Sequence, residues 1–145
     1  MKQTNKFSLR IPSRSANESF ARTAVAAFAT QLDPTVEEIS DIKTAVSEAV
    51  TNCIVHAYKN TIGYIYITGE ILEDGSIKVR IRDKGLGIEN IKQAMEPLFT
   101  TAGGERAGLG FAVMESFTDS LRVRSTVGKG TTITMIKKLR VRENV

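Results

Sequence analysis

Tryptophan is absent from this chain of 145 residues, aromatic side chains make up 6% of it, and there is one cysteine and one histidine. The lone Cys53 cannot form an internal disulfide, so nothing points to an oxidising compartment. The longest apolar stretch, Thr23 to Ala29, is far below the ~20 residues that a membrane helix needs. The opening residues, Met1-Lys2-Gln3-Thr4-Asn5-Lys6, lead into an alternating segment and not into an apolar leader, so a cytoplasmic protein with no membrane contact is expected. Repeats, low-complexity tracts and linkers are missing too, which leaves a single domain over residues 1–145. With 41% hydrophobic and 25% charged residues, disordered and collagen-like classes are excluded. A domain of this size buries roughly two-thirds of its unfolded surface and needs no disulfide or metal to fold.

Basic charge is in excess, at a net +4. Lys2, Lys6, Arg10 and Arg14 fall in residues 1–14 with no acid among them, and Lys137, Lys138, Arg140 and Arg142 face only Glu143 at the other end. Residues 15–136 carry more acid than base. Along the chain, then, the excess belongs to short basic termini. A nucleic-acid binder concentrates base on one face or helix, with aromatics to stack on single strands. No direct nucleic-acid contact is expected, and a basic nucleic-acid binder stands as a rival that salt-sensitive retention on DNA would reveal.

Residues 6–11 alternate as a half-buried strand. A first helix spans about 16–31, with Ser13, Ser15 and Asn17 as candidate caps and Phe20, Val25 and Phe28 among its apolar positions. Asp33-Pro34 followed by Glu37 predicts the start of a second helix running to about Tyr58. Strands follow at 64–67 and 77–82, joined by an Asp74-Gly75 turn; then come a loop at 83–87, a short helix at 89–95 and a helix at 109–118. Strands at 119–126 and 131–138 close the pattern. The expected class is α+β: a two-layer sandwich, helices on one face of a mostly antiparallel mixed sheet.

Four features carry chemistry. On the second helix, Glu48, Asn52 and His56 follow at i, i+4 and i+8, opposite the core stripe of Ile39, Ile42, Val46, Ala49, Val50, Cys53, Ile54 and Ala57. Such a stripe is either a solvated face or the wall of a cleft. In a cleft, a carboxylate can serve as a base, and an amide oxygen can ligate a Mg2+ that completes its shell with waters and phosphates. Asp83-Lys84-Gly85-Leu86-Gly87 is either an ordinary turn or a carboxylate that accepts from an exocyclic amine, with backbone passing close to a ring. Residues 103–110, Gly-Gly-Glu-Arg-Ala-Gly-Leu-Gly, open a helix whose N–H groups would suit a polyphosphate. They lack the Lys-Ser/Thr of a P-loop. The last feature is Gly130-Thr131-Thr132, entering a strand.

Taken in order, these segments resemble the GHKL family of ATPases and kinases over residues 35–136. Glu48 to His56 matches its N box, Asp83 to Gly87 the first glycine box, Gly108-Leu109-Gly110-Phe111 the second, and Gly130-Thr131-Thr132 the terminal threonine element. Within the family the chain is most similar to the stand-alone serine kinases of spore-forming bacteria that act as anti-sigma factors. Asn17 to Arg22, Ser47 to Asn52 and Pro97 to Thr101 carry that closer likeness. The histidine-kinase form needs a further helical domain with a phosphoacceptor histidine, and the length and the single histidine exclude it.

The resemblance implies an ATP-dependent serine protein kinase. It would inhibit a sporulation sigma factor of RNA polymerase (sigma-F type), phosphorylate a serine of the anti-anti-sigma antagonist, and act as a homodimer. It also implies ATP/ADP and Mg2+ as cofactors, Glu48 as general base, Asn52 as Mg2+ ligand, and Asp83 with Thr131 at the adenine. Gly85 and Gly87 would lie against the nucleotide, while Gly108, Leu109 and Gly110 would hold the phosphates. Thr100, Thr101 and Arg106 would belong to a lid, and Arg22 to a partner surface. The alternative is a nucleotide-gated anti-sigma module that transfers nothing.

Overall fold

Strand pairing organises the molecule. The computed structural model describes residues 2–96 and 105–139, with residues 105–109 described by their backbone alone. Its sheet has five strands, β1 (Gln3–Pro12), β2 (Tyr64–Leu72), β3 (Ser76–Asp83), β4 (Ser120–Thr126) and β5 (Gly130–Lys138). Their order is β1-β2-β3-β5-β4, and each of the four pairings is antiparallel. The α+β class holds, and where a mixed sheet was expected the described strands are antiparallel throughout. Strand alternation sends Ile65, Ile67, Ile77, Val79, Ile81, Ile133 and Met135 to one face, and all are buried.

Helices α1 (Asn17–Ala29), α2 (Val36–Asn52) and α4 (Glu105–Phe117) cover that face, with α2 between α1 and α4. Val25, Ile42, Val46, Val50 and Met114 complete the core, each worth about 1.5–3 kcal/mol for full burial. Phe7 lies across Gly69 and meets the Phe28 ring at 4.7 Å, which pins α1 to the β1–β2 edge. Among the described residues no helix is long and apolar enough to cross a membrane.

The helix ends depart from the sequence reading in three places. At α1 the Ala16 cap has no side-chain bond; the Asn17 amide donates to the Pro12 carbonyl, and Ser13 is buried, accepting from Gly63 N–H at 3.0 Å. At α2 the cap is Thr35 and not Asp33. Thr35 Oγ1 accepts from Glu38 N–H at 3.0 Å while Glu38 Oε1 accepts from Thr35 N–H at 2.8 Å. That reciprocal capping box satisfies two orphan donors and is worth about 1 kcal/mol. Asp33 instead adopts the left-handed conformation that closes a 3-10 turn over Thr30–Leu32. Finally, α4 begins at Glu105, four residues before the expected start, so Gly108 and Gly110 lie inside the helix.

The expected run of α2 to Tyr58 also changes character. From Cys53 to Ala57 the backbone is a π-turn, closed by Tyr58 N–H donating to the Cys53 carbonyl at 3.0 Å.

Candidate functional site

Where the π-turn meets the end of β3, the fold leaves a cleft of about 680 Å³, a volume suited to a small ligand. Asn52, His56 and Ala57 line it from α2 and the π-turn, Asp83 from β3, Thr131 and Ile133 from β5, and Phe111 from α4. Gly87 to Asn90 and the short helix α3 (Ile91–Ala94) form its remaining wall.

Asp83 is on the floor for a reason legible in the strand. Ile77, Val79 and Ile81 face the core, and the next alternate position must face it too. Only 5% of Asp83 is exposed. Its Oδ1 accepts from Gly85 N–H at 3.0 Å and from Thr131 N–H at 3.2 Å, and its Oδ2 accepts from the Cys53 thiol at 3.5 Å. Burial pushes its carboxyl above the usual range, against the pull of those donors. The Cys53 thiol is pushed well above its ordinary value, first by burial and then by the Asp83 charge. Thr131 is itself buried, with its hydroxyl 2.8 Å from that of Ser125, which also donates to the Gly130 carbonyl at 3.1 Å.

The two glycines after Asp83 are held by contact. A Cβ on Gly85 would stand 2.2 Å from the Ala57 carbonyl oxygen, because the loop runs directly under the π-turn. Gly87 has φ +78° and would place a Cβ 2.4 Å from the Thr126 carbonyl oxygen. Leu86 N–H donates to the Ala57 carbonyl at 3.0 Å, and the Tyr58 hydroxyl accepts from Lys84 N–H at 2.7 Å.

Glu48 and Asn52 come together against α4. A Cβ on Gly110 would lie 3.2 Å from Glu48 Oε2 and 3.4 Å from Asn52 Oδ1, so this glycine lets the two helices close on these polar ends. Asn52 Nδ2 is buried and has no hydrogen-bond partner among the described residues, which marks it as a group awaiting one. Glu48 also borders a shallower groove of about 420 Å³ between α1 and α2, with Arg22, Val36, Lys43 and Ser47. There Arg22 pairs with Glu18 at 2.7 Å, and Glu18 accepts from the Ser47 hydroxyl. Phe20, expected among the apolar positions of α1, is 54% exposed on that helix.

The structure thus brings Asn52, Asp83, Gly87 and Thr131 to one cleft, sets Gly85 beneath the π-turn, and puts Glu48 and Gly110 beside Asn52. Arg22 stands apart in the second groove. Arg106, Gly108 and Leu109 fall in the first turns of α4, which begins at Glu105 and not at the expected residue 109. Thr100 and Thr101 lie outside the described residues. Sequence reasoning missed Cys53, Ala57, Ser125 and Tyr58 as supports of the site. Cys53 read as plain core because its i, i+3, i+4 spacing is that of core.

The Asp83 carboxylate and the Asn52 amide are groups that can hold a polar ligand in this cleft. Among the described residues no group of three His, Cys, Asp or Glu forms a cage. The Asn52 amide oxygen could ligate a hard cation whose shell is completed by other oxygens.

The sequence matches the histidine kinase-like ATPase domain over residues 11–137. It is 60% identical over 138 residues to an anti-sigma F factor of Caldanaerobacter subterraneus subsp. tengcongensis, covering 94% of this chain and 96% of that one. To an anti-sigma F factor of Clostridium acetobutylicum it is 52% identical over 141 residues, covering 97% and 98%. In structure it is similar to the RsbU and RsbW domains of a Mycobacterium tuberculosis protein, with a TM-score of 0.69 at 20% identity. That likeness covers 98% of this chain and 35% of the other. A blue-light activated histidine kinase of Erythrobacter litoralis gives a TM-score of 0.60 at 20% identity, covering 81% of this chain and 40% of that one. The two structures share the fold.

Proposed function

The chain belongs to the histidine kinase-like ATPase domain family, in the line of the anti-sigma F factors, and from that premise we propose that it is an ATP-dependent serine protein kinase that also binds and inhibits a sigma factor of the sigma-F type. The substrate would be a serine of the anti-anti-sigma antagonist, and the working form a cytoplasmic homodimer. One observation carries the reading: Glu48 and Asn52 meet at Gly110 beside a cleft whose floor holds a fixed carboxylate, Asp83.

Asp83 would accept from the adenine amino group, held by Gly85 and Thr131 N–H so that it loses little freedom on binding. Gly85 and Gly87 would keep the loop low enough for the nucleotide to pass. Asn52 would hold Mg2+, which when bound offsets phosphate charge. Glu48 would take the proton of the attacking serine hydroxyl as the oxygen bonds to the γ-phosphorus and the bond to the leaving diphosphate breaks. Phosphoryl transfer asks mainly for positioning and charge stabilisation, so this set suffices. The groove holding Arg22, with Phe20 exposed on the same helix, supports an approach for the partner protein to the Glu48 side.

The test is transfer of labelled γ-phosphate from Mg-ATP to the anti-anti-sigma protein of the same organism. Glu48→Ala should lower transfer by on the order of a hundredfold with little change in ATP affinity, as expected for a general base. Asn52→Ala should abolish it. Transfer unaffected by Glu48→Ala would remove the base from the proposal, and tight ATP binding with no transfer would leave a nucleotide-gated binding module.

A further inference from the structure

The pairing register gathers basic residues that the sequence scatters. Residues directly paired across strands share a face, and the face away from the helices reads in rows. One row holds Arg10, Tyr66, Arg82, Thr132 and Arg124; the next holds Ser8, Thr68, Arg80, Thr134 and Arg122. A third holds Lys6, Glu70, Lys78, Ile136 and Ser120. These rows contain seven cations and one carboxylate. All seven but the half-buried Lys78 are exposed, and none of them is in either of the ion pairs Arg22–Glu18 and Lys137–Asp41.

With strands about 4.8 Å apart and rows about 7 Å apart, the patch measures roughly 19 by 14 Å. Neighbouring rows lie within one Debye length, about 8 Å at physiological salt, so the charges act as one field. Aromatic rings also hold some cations in place. The Arg10 guanidinium lies 4.4 Å from the Tyr64 ring centroid, Arg82 5.6 Å from that of Tyr66, and Lys84 Nζ 5.0 Å from the same ring. Cations positioned in advance lose less freedom when an anion binds.

The chemistry of the face selects the partner. Protein–protein interfaces have an apolar centre depleted of charge, whereas this patch holds one aliphatic side chain, Ile136. Between its columns of cations stand the hydroxyls of Thr68, Thr132 and Thr134, and Ser8 lies between Lys6 and Arg10 along the edge strand. Strong positive charge with interspersed hydroxyl donors is the make-up of a nucleic-acid interface, where arginine forks and hydroxyls take phosphate oxygens. We propose that the open face of the sheet binds the phosphate backbone of a nucleic acid without reading its bases, on the side of the molecule away from the nucleotide cleft. This binding is independent of the kinase reading.

The experiment is fluorescence anisotropy of a labelled duplex of about 20 base pairs of mixed sequence, as DNA and as RNA, with the full chain between about 50 and 200 mM salt. The expected result is binding that weakens steeply with salt. Arg80→Glu combined with Arg122→Glu should lower affinity at least tenfold and flatten the logarithmic salt slope by about two. Lys43→Glu combined with Lys59→Glu, with the same change in net charge but outside these rows, should stay within twofold. Arg80→Gln with Arg122→Gln gives an intermediate loss and serves if the reversals unfold the sheet, which circular dichroism reads directly. Equal losses in the two charge-reversal pairs would overturn the proposal, as would no salt-sensitive binding to either duplex. Displacement of the duplex by polyglutamate at equal charge concentration would also overturn it and assign the face to an acidic protein.

Discussion

The Cys53 thiol lies 3.5 Å from Asp83 Oδ2 and is the donor to that oxygen among the described side chains, while the backbone holds the other oxygen. Burial and the neighbouring carboxylate keep the thiol protonated and therefore a donor. Cys53→Ala should lower stability by about 1–2 kcal/mol through the small cavity and the lost bond. It should also weaken Mg-ATP binding three- to tenfold, roughly 1 kcal/mol of orientation, with recovery in Cys53→Ser, whose hydroxyl can donate in the same place. Isothermal titration beside thermal melts separates the effects. Unchanged affinity in Cys53→Ala would show that Asp83 is oriented by the backbone alone.

Gly110 separates activity from stability. Alanine there is a better helix former by about 1 kcal/mol, yet its Cβ would press on Glu48 Oε2 and Asn52 Oδ1. The expected outcome of Gly110→Ala is a melting temperature at or above that of the parent with phosphoryl transfer down tenfold or more. A variant as active as the parent would mean that the Glu48 and Asn52 ends can move aside without consequence.

Asp83 should make stability depend on pH in an unusual direction. A carboxyl whose folded pKa stands above its unfolded value of about 3.9 binds protons more readily when folded. Its contribution to stability is then greatest below about pH 4 and falls as pH rises through the folded pKa, leaving the cost of the buried charge fully present at neutral pH. Asp83→Asn keeps an acceptor for Gly85 and Thr131 N–H and removes the charge. It should melt higher than the parent at pH 7, lose that advantage near pH 4, and bind ATP poorly. Equal melting temperatures for variant and parent at pH 7 would show that the desolvation cost is met in the folded state.

Much of the site was legible because its chemistry is local in sequence. Asp83 announces itself through the alternation that precedes it, and Glu48 and Asn52 through a single helical turn. What could not be read depends on chain segments far apart. The basic sheet face exists because β5 inserts between β3 and β4, setting Thr132 between Arg82 and Arg124; no one-dimensional charge count contains that register. The cap of α2 was legible as Thr35-Val36-Glu37-Glu38, but Asp33-Pro34 gave a competing signal two residues earlier, and the left-handed turn at Asp33 decides between them. The π-turn follows no apolar periodicity, since it adds a residue without altering which side chains are greasy.

The place where this turn ends has a topological consequence for anyone rebuilding this site. The helix ends at Ala57, so its carbonyl is among the acceptors that a helix end leaves open, and it takes the Leu86 N–H of the loop after β3 at 3.0 Å. The end of α2 thereby acts as a hinge pin, so that any shift in the phase of the helix carrying Asn52 is passed to the loop carrying Gly85 and Gly87. Transplanting these motifs onto a helix that runs on past Ala57 would keep the side chains and lose the latch between them.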